Sequence, residues 1–181
     1  MKFLLLFLLI IPFTTLTAIA QKLFSSNGRV EFISDAPLEK IKAVTNSLRG
    51  VIDINKQEFA FTVDIKTFKG FNSPLQKDHF NENYMESSIY PKATYTGKLI
   101  DKVDLSKDGR FTARSKGWLN IHGVAQERII KSVFEIKDKK LTMTSNFNIL
   151  LQEYNINIPI IVHQKIAEEI DINVISEFII K

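Results

Sequence analysis

From Phe71 to Gly97 the chain reads FNSPLQKDHFNENYMESSIYPKATYTG, and this stretch interrupts an otherwise alternating sequence. Ser73-Pro74-Leu75-Gln76 has the composition of a helix start. Ser73 is placed to cap, Pro74 suits the first helical position, and Gln76 stands where a capping box requires an amide. Leu75 to Met85 contains neither Gly nor Pro, and the pairs Leu75/His79 and Phe80/Tyr84 are spaced to share helical faces. Pro91 forbids further helix, and Ala93 to Gly97 returns to strand pattern. The stretch predicts a short helix laid across the mouth of a β-barrel.

Working outward, strands flank it on both sides. Gly28 to Ser34 sets Val30 and Phe32 on one face, while Leu38, Ile41 and Val44 recur at a three-residue spacing that predicts a helical connector over Ala36 to Thr45. Ser47 to Ile54 and Gln57 to Thr67 form a predicted hairpin through Asn55-Lys56, with Phe59, Phe61, Val63 and Ile65 on one face. Downstream, Thr94 to Asp104 and Arg110 to His122 read as long strands with a hairpin signal at Asp108-Gly109. The second of them puts Phe111, Ala113, Ser115, Gly117, Leu119 and Ile121 on one face, small at its centre. Gly123 turns the chain into Gln126 to Lys137, and Asp138-Lys139 turns it again. Leu141, Met143, Ser145, Phe147 and Ile149 alternate with polar neighbours. Gln152 to Lys165 breaks pattern and is expected to wrap one end. In Glu169 to Ile180, Ile170, Ile172, Val174 and Phe178 share a face.

The count is about eight antiparallel strands, enough to close a barrel that either fills with side chains or holds one small ligand. Spacing alone also allows a sandwich; the long strands and the inserted helix favour the barrel, whose closure removes exposed sheet edges.

Composition narrows the chemistry. The chain has 181 residues, 24 Lys and Arg against 20 Asp and Glu, a net charge of +4, and no cysteine. Thiol chemistry, disulfides and a lipoprotein anchor are therefore excluded. Basic residues form no run longer than Lys139-Lys140, which gives no nucleic-acid stripe. Met1-Lys2, an apolar run from Phe3 to Phe13, and Ala18-Ile19-Ala20 predict a signal peptide over residues 1–20, cleaved after Ala20, with the domain occupying 21–181.

Three histidines, His79, His122 and His163, fall on separate elements without metal-ligand spacing, and no Gly-x-Ser-x-Gly elbow occurs. Neither a metal, a cofactor nor an enzymatic activity is expected. Trp118 shares a face with Arg114 and Lys116, which suits either a surface Trp shielded by their stems or contact with a membrane surface or partner.

Three motifs carry a resemblance to a known family. Asp78-His79-Phe80 with Tyr84-Met85-Glu86-Ser87 and Tyr90-Pro91-Lys92-Ala93-Thr94-Tyr95-Thr96-Gly97 is the first. Gly117-Trp118-Leu119-Asn120-Ile121-His122-Gly123-Val124 is the second, and Tyr154-Asn155-Ile156-Asn157-Ile158-Pro159 the third. Together they resemble the YceI-like proteins; the Asn81-Glu82-Asn83 segment departs from the pattern. The resemblance implies an all-β, closed eight-stranded antiparallel lipocalin-like barrel, exported to the periplasm, whose tunnel takes a polyisoprenoid or similar long-chain lipid. On that reading Phe59, Phe61, Val63, Ile65, Phe111, Ala113, Leu119, Met143, Phe147, Ile172 and Val174 form the tunnel wall. Phe71, Asp78, His79, Phe80 and Tyr84 form the lid and head-group site. Ala113, Ser115 and Gly117 are expected to leave the space. The competing reading of the same apolar faces is a filled barrel that serves as a structural or interaction module.

Overall fold

The computed structural model describes residues 22–102, 104 and 108–179; the predicted signal peptide lies outside them. One antiparallel sheet contains β1 (Lys22–Asp35), β2 (Lys40–Thr45), β3 (Arg49–Asp53), β4 (Glu58–Asp64) and β5 (Lys92–Leu99). It continues through β6 (Gly109–Ile121), β7 (Val124–Lys137), β8 (Lys140–Leu150) and β9 (Glu169–Ile179). Pairing of β1 with β9 closes it. β2 pairs with the second half of β1 and β3 with its beginning, so the two short strands together fill one position. The result is the expected closed eight-stranded barrel.

Tight turns follow from local chemistry. Ile121 pairs with Val124 across His122 (φ 52°) and Gly123 (φ 74°). Lys137 pairs with Lys140 across Asp138 (φ 51°) and Lys139 (φ 61°). Two successive left-handed residues give the turn whose twist matches an antiparallel pair.

The helix begins where expected. Over α1 (Pro74–His79), the Ser73 hydroxyl accepts the Gln76 N–H at 3.1 Å, and Gln76 Oε1 accepts the Asn72 N–H at 2.9 Å. Instead of continuing as α-helix to Met85, the chain loosens into a π-helical turn over Phe80–Tyr84, closed by the Met85 N–H donating to the Phe80 carbonyl.

Two expectations fail. Ala36 to Thr45 is not a helical connector. Its second half is β2, in which Ile41, Ala43 and Thr45 point inward and β1 supplies the backbone partners. The three-residue spacing was shared with a strand because Leu38 belongs to the exposed turn before it. Nor is Asp108-Gly109 a tight hairpin. β5 ends at Leu99, opposite Ser115, and the chain leaves the sheet there. Asp101 fastens the departing segment by accepting the Arg114 N–H at 2.8 Å and pairing with its guanidinium at 2.9 Å. Gly109 simply opens β6, opposite Ile136.

The barrel has two unlike ends. At the far end, Leu23, Ile52, Leu99, Phe134, Leu141 and Phe178 pack into one buried cluster. At the other, a second cluster that includes Ile65, Phe68, Met85, Leu119, Tyr154 and Ile170 lines the walls beneath α1.

Candidate functional site

Beneath α1 the walls enclose a cavity of about 550 Å³, within the range of small-molecule sites. Its floor is the upper surface of the filled end: Ile52, Phe59, Leu99, Phe134 and Met143. The space is thus a blind pocket, not a tunnel running the length of the barrel. Hollow and filled readings of the sequence each describe one half of the molecule.

Of the predicted wall residues, Phe59, Phe61, Val63, Ile65, Leu119, Met143, Phe147, Ile172 and Val174 line this cavity. Phe111 and Ala113 do not. They lie on the correct face of β6 but too far down it: Phe111 stacks on Phe134 with centroids 5.5 Å apart, and Ala113 is buried in the filled end. Among the predicted lid residues, Phe71, His79, Phe80 and Tyr84 line the mouth, whereas Asp78 is exposed and does not.

Gly117 has a different role from the one expected. A Cβ there would approach Thr96 O to 2.3 Å, and one at Gly97 would approach Lys116 O to 2.2 Å. The paired glycines let β5 and β6 approach each other closely, so Gly117 shapes the wall instead of widening the space.

The lid is held by rings. Phe80 stacks on Phe32 at 5.3 Å and meets Phe71 at 5.0 Å and Phe68 at 5.8 Å. Phe32 comes from β1 and Phe68 from the turn that follows β4, so one aromatic side chain of the π-helical turn plugs the helix onto the barrel. Burial pushes the Tyr84 hydroxyl above its ordinary pKa, which keeps it a neutral donor.

The lower wall carries a band of hydroxyls between the two apolar clusters. Tyr95 Oη lies 3.1 Å from Ser115 Oγ, which donates to the Ile130 carbonyl at 3.1 Å. Ser132 and Ser145 bond to each other at 2.6 Å. Burial raises the Tyr95 pKa, with the Ser115 hydrogen bond opposing it. Ser115, Ser132, Ser145 and Tyr95 all line the cavity, giving an apolar pocket a few polar positions near its floor. The sequence reading missed this band, along with Phe32 and Phe68. Inward serines at alternate positions of β6, β7 and β8 were its signal, but their common height depends on strand register.

His122 is more than a turn residue. Its ring lies 3.1 Å from the Tyr154 carbonyl and 2.8 Å from Glu86 Oε2, and its edge meets Tyr90 at 4.6 Å. It ties the β6–β7 turn to the segment after the lid and to the turn after β8. Those three regions are the three motifs of the sequence resemblance. His79 stands at the mouth and His163 beside the Ile158 carbonyl, and no cluster of metal-ligating side chains occurs among the described residues.

A closed antiparallel barrel with a blind apolar pocket under a short aromatic-bound helix defines the lipocalin-like class of binding barrels. Within that class, the chain matches the YceI-like domain over residues 22–178, and it belongs to that family. Solved structures share its fold. A polyisoprenoid binding domain from Saccharophagus degradans, implicated in plant cell wall breakdown, is 13% identical with a TM-score of 0.74, covering 90% of this chain and 100% of that one. BcnA of Burkholderia cenocepacia is 14% identical with a TM-score of 0.68, covering 83% and 95%. A Campylobacter jejuni YceI protein is 18% identical with a TM-score of 0.63, covering 78% and 85%. No curated protein sequence matches the chain.

Proposed function

We propose that this protein binds a polyisoprenoid or similar long-chain lipid in the blind cavity, as a periplasmic carrier or sequestering protein and not as an enzyme. The observation that carries the reading is a hollow of about 550 Å³ with mainly apolar walls, opening under the Phe80-anchored helix. At ~30 Å³ per heavy atom, the share of a water in the liquid, this space holds on the order of eighteen such atoms. Burial of that many methylenes at about 0.8 kcal/mol each gives roughly 14 kcal/mol gross against an association cost of roughly 4–15 kcal/mol, a net of between about zero and about 10 kcal/mol, which spans the range of a reversible carrier. The polyisoprenoid-binding character of the Saccharophagus degradans domain supports the ligand class. Export rests on the leader-like Met1 to Ala20.

Native mass spectrometry of protein purified from its own cell envelope tests the proposal. An apolar mass bound with one-to-one stoichiometry is expected, displaced by a fluorescent prenyl alcohol. Protein that is always ligand-free and refuses the probe would overturn it.

A further inference from the structure

The mouth of the cavity is ringed by aliphatic side chains that nothing within the described chain covers. Leu38 in the β1–β2 turn, Leu75 on α1, and Ile160 with Ile161 after Pro159 are between 62% and 91% exposed. These segments are one construction. The Leu38 N–H donates to the Gln164 carbonyl at 2.8 Å, and Glu39 Oε1 accepts from Gln76 Nε2 at 2.9 Å and Asn72 Nδ2 at 3.0 Å. Glu39, Leu75, Gln76, Val162 and Lys165 from the same three segments line the opening itself. Isolated exposed aliphatics need no explanation; four at the crests of a hydrogen-bonded rim around an apolar opening do.

We propose that this rim docks on a lipid bilayer, inserting Leu38, Leu75, Ile160 and Ile161 among the head groups so that the cavity opens directly into the membrane. The inference rests on the lipid-binding reading above and adds a partner to it. The occupant follows from continuity with the cavity. A ligand that prefers these apolar walls to water resides in a bilayer, and the surface surrounding its entrance is the surface that meets that phase. Charge at the rim is mixed. Glu39 and Lys165 line the opening, His163 stands 3.9 Å from Glu168, and Asp35 is held by Lys40 at 2.7 Å. Docking is therefore carried by apolar insertion, with little dependence on anionic lipid.

The test is flotation of a chain beginning at Gln21, which contains every strand of the closed barrel, with vesicles of phosphatidylethanolamine and phosphatidylglycerol, and with phosphatidylcholine alone. Binding to both, retained at high salt, is expected. The triple variant Leu38→Ser, Ile160→Ser, Ile161→Ser, at exposed rim positions outside the cavity lining, should lose binding by on the order of tenfold or more. A control variant, Trp118→Ser with Ile129→Ser on the outer wall of β6 and β7, should bind as before. Uptake of a prenyl probe from detergent is measured on every variant. Rim variants that take up probe normally but no longer float separate docking from the cavity. Wild-type protein that takes up probe yet does not float overturns the docking proposal and leaves the lipid-binding one standing. Protein that takes up no probe overturns the lipid-binding reading, whatever its flotation. Binding confined to anionic vesicles and abolished by salt, or a rim variant that converts a dimer to a monomer, also overturns docking.

Discussion

Phe61 shows how one side chain divides between wall and cavity. It is half-buried, lines the hollow, and lays its ring over Gly50, where a Cβ would come within 2.3 Å of it. Phe61→Trp should keep the fold within about 1.5 kcal/mol, because the added ring enters existing space. Probe uptake should fall severalfold. Urea denaturation beside a binding isotherm checks both halves, and a large stability loss would mean that the larger ring finds no space to enter. Asp101 makes a different point. Hydrogen bonds from the Arg114 side chain and then from its backbone N–H hold the carboxyl down at about 2. Its folded pKa is depressed, so what it contributes is present above the ordinary carboxylate range and fades as pH falls toward 2. The protection of the Arg114 and Ile100 amides against hydrogen exchange, taken relative to their intrinsic rates at each pH, should fall on acidification through that window. In Asp101→Asn the same two amides should lose protection already at neutral pH.

At the scale of elements, the lid is the weakest piece. α1 has six residues and no fully buried side chain, too short to persist without tertiary support. Phe80 provides that support through Phe32, Phe68 and Phe71. Phe80→Ala should leave the barrel folded but release a bound prenyl probe faster, by on the order of tenfold for each 1.4 kcal/mol of ring packing removed. Stopped-flow displacement measures this, and an unchanged release rate would show that the helix does not gate the pocket. The β5–β6 pair is the opposite case. Gly117→Ala drives a methyl against backbone atoms that cannot rotate aside, and a loss of roughly 1–3 kcal/mol is expected in thermal or urea unfolding. Alternation showed which face Gly117 occupies; it did not show that a second glycine, Gly97, stands directly opposite.

For the molecule as a whole, the filled end sets a limit on ligand length. With Phe134, Met143 and Leu99 as a floor, a chain that entered from the lid side would stop there. Affinity across a series of prenyl alcohols should rise with length until about eighteen heavy atoms are housed at ~30 Å³ each, then level off as further units project through the mouth. An affinity that keeps climbing well beyond that length would require the floor to open.

By itself, the sequence determined the strand faces, the two-residue turns at His122-Gly123 and Asp138-Lys139, and the helix start at Ser73. Each depends on neighbours within a few residues: a two-residue period, a left-handed pair, a capping hydroxyl. It also carried enough motif to indicate the family. Only the tertiary structure decided which inward residues face space and which face other residues. Phe111 and Phe61 obey the same alternation, yet one is stacked in the plug and the other lines the hollow. That difference is height along the barrel axis, and height is set by the register of strands far apart in the chain. The same holds for the serine band and for the aliphatic rim, whose Leu38 and Ile160 come from segments more than a hundred residues apart and are brought to one end because β1 pairs with β9.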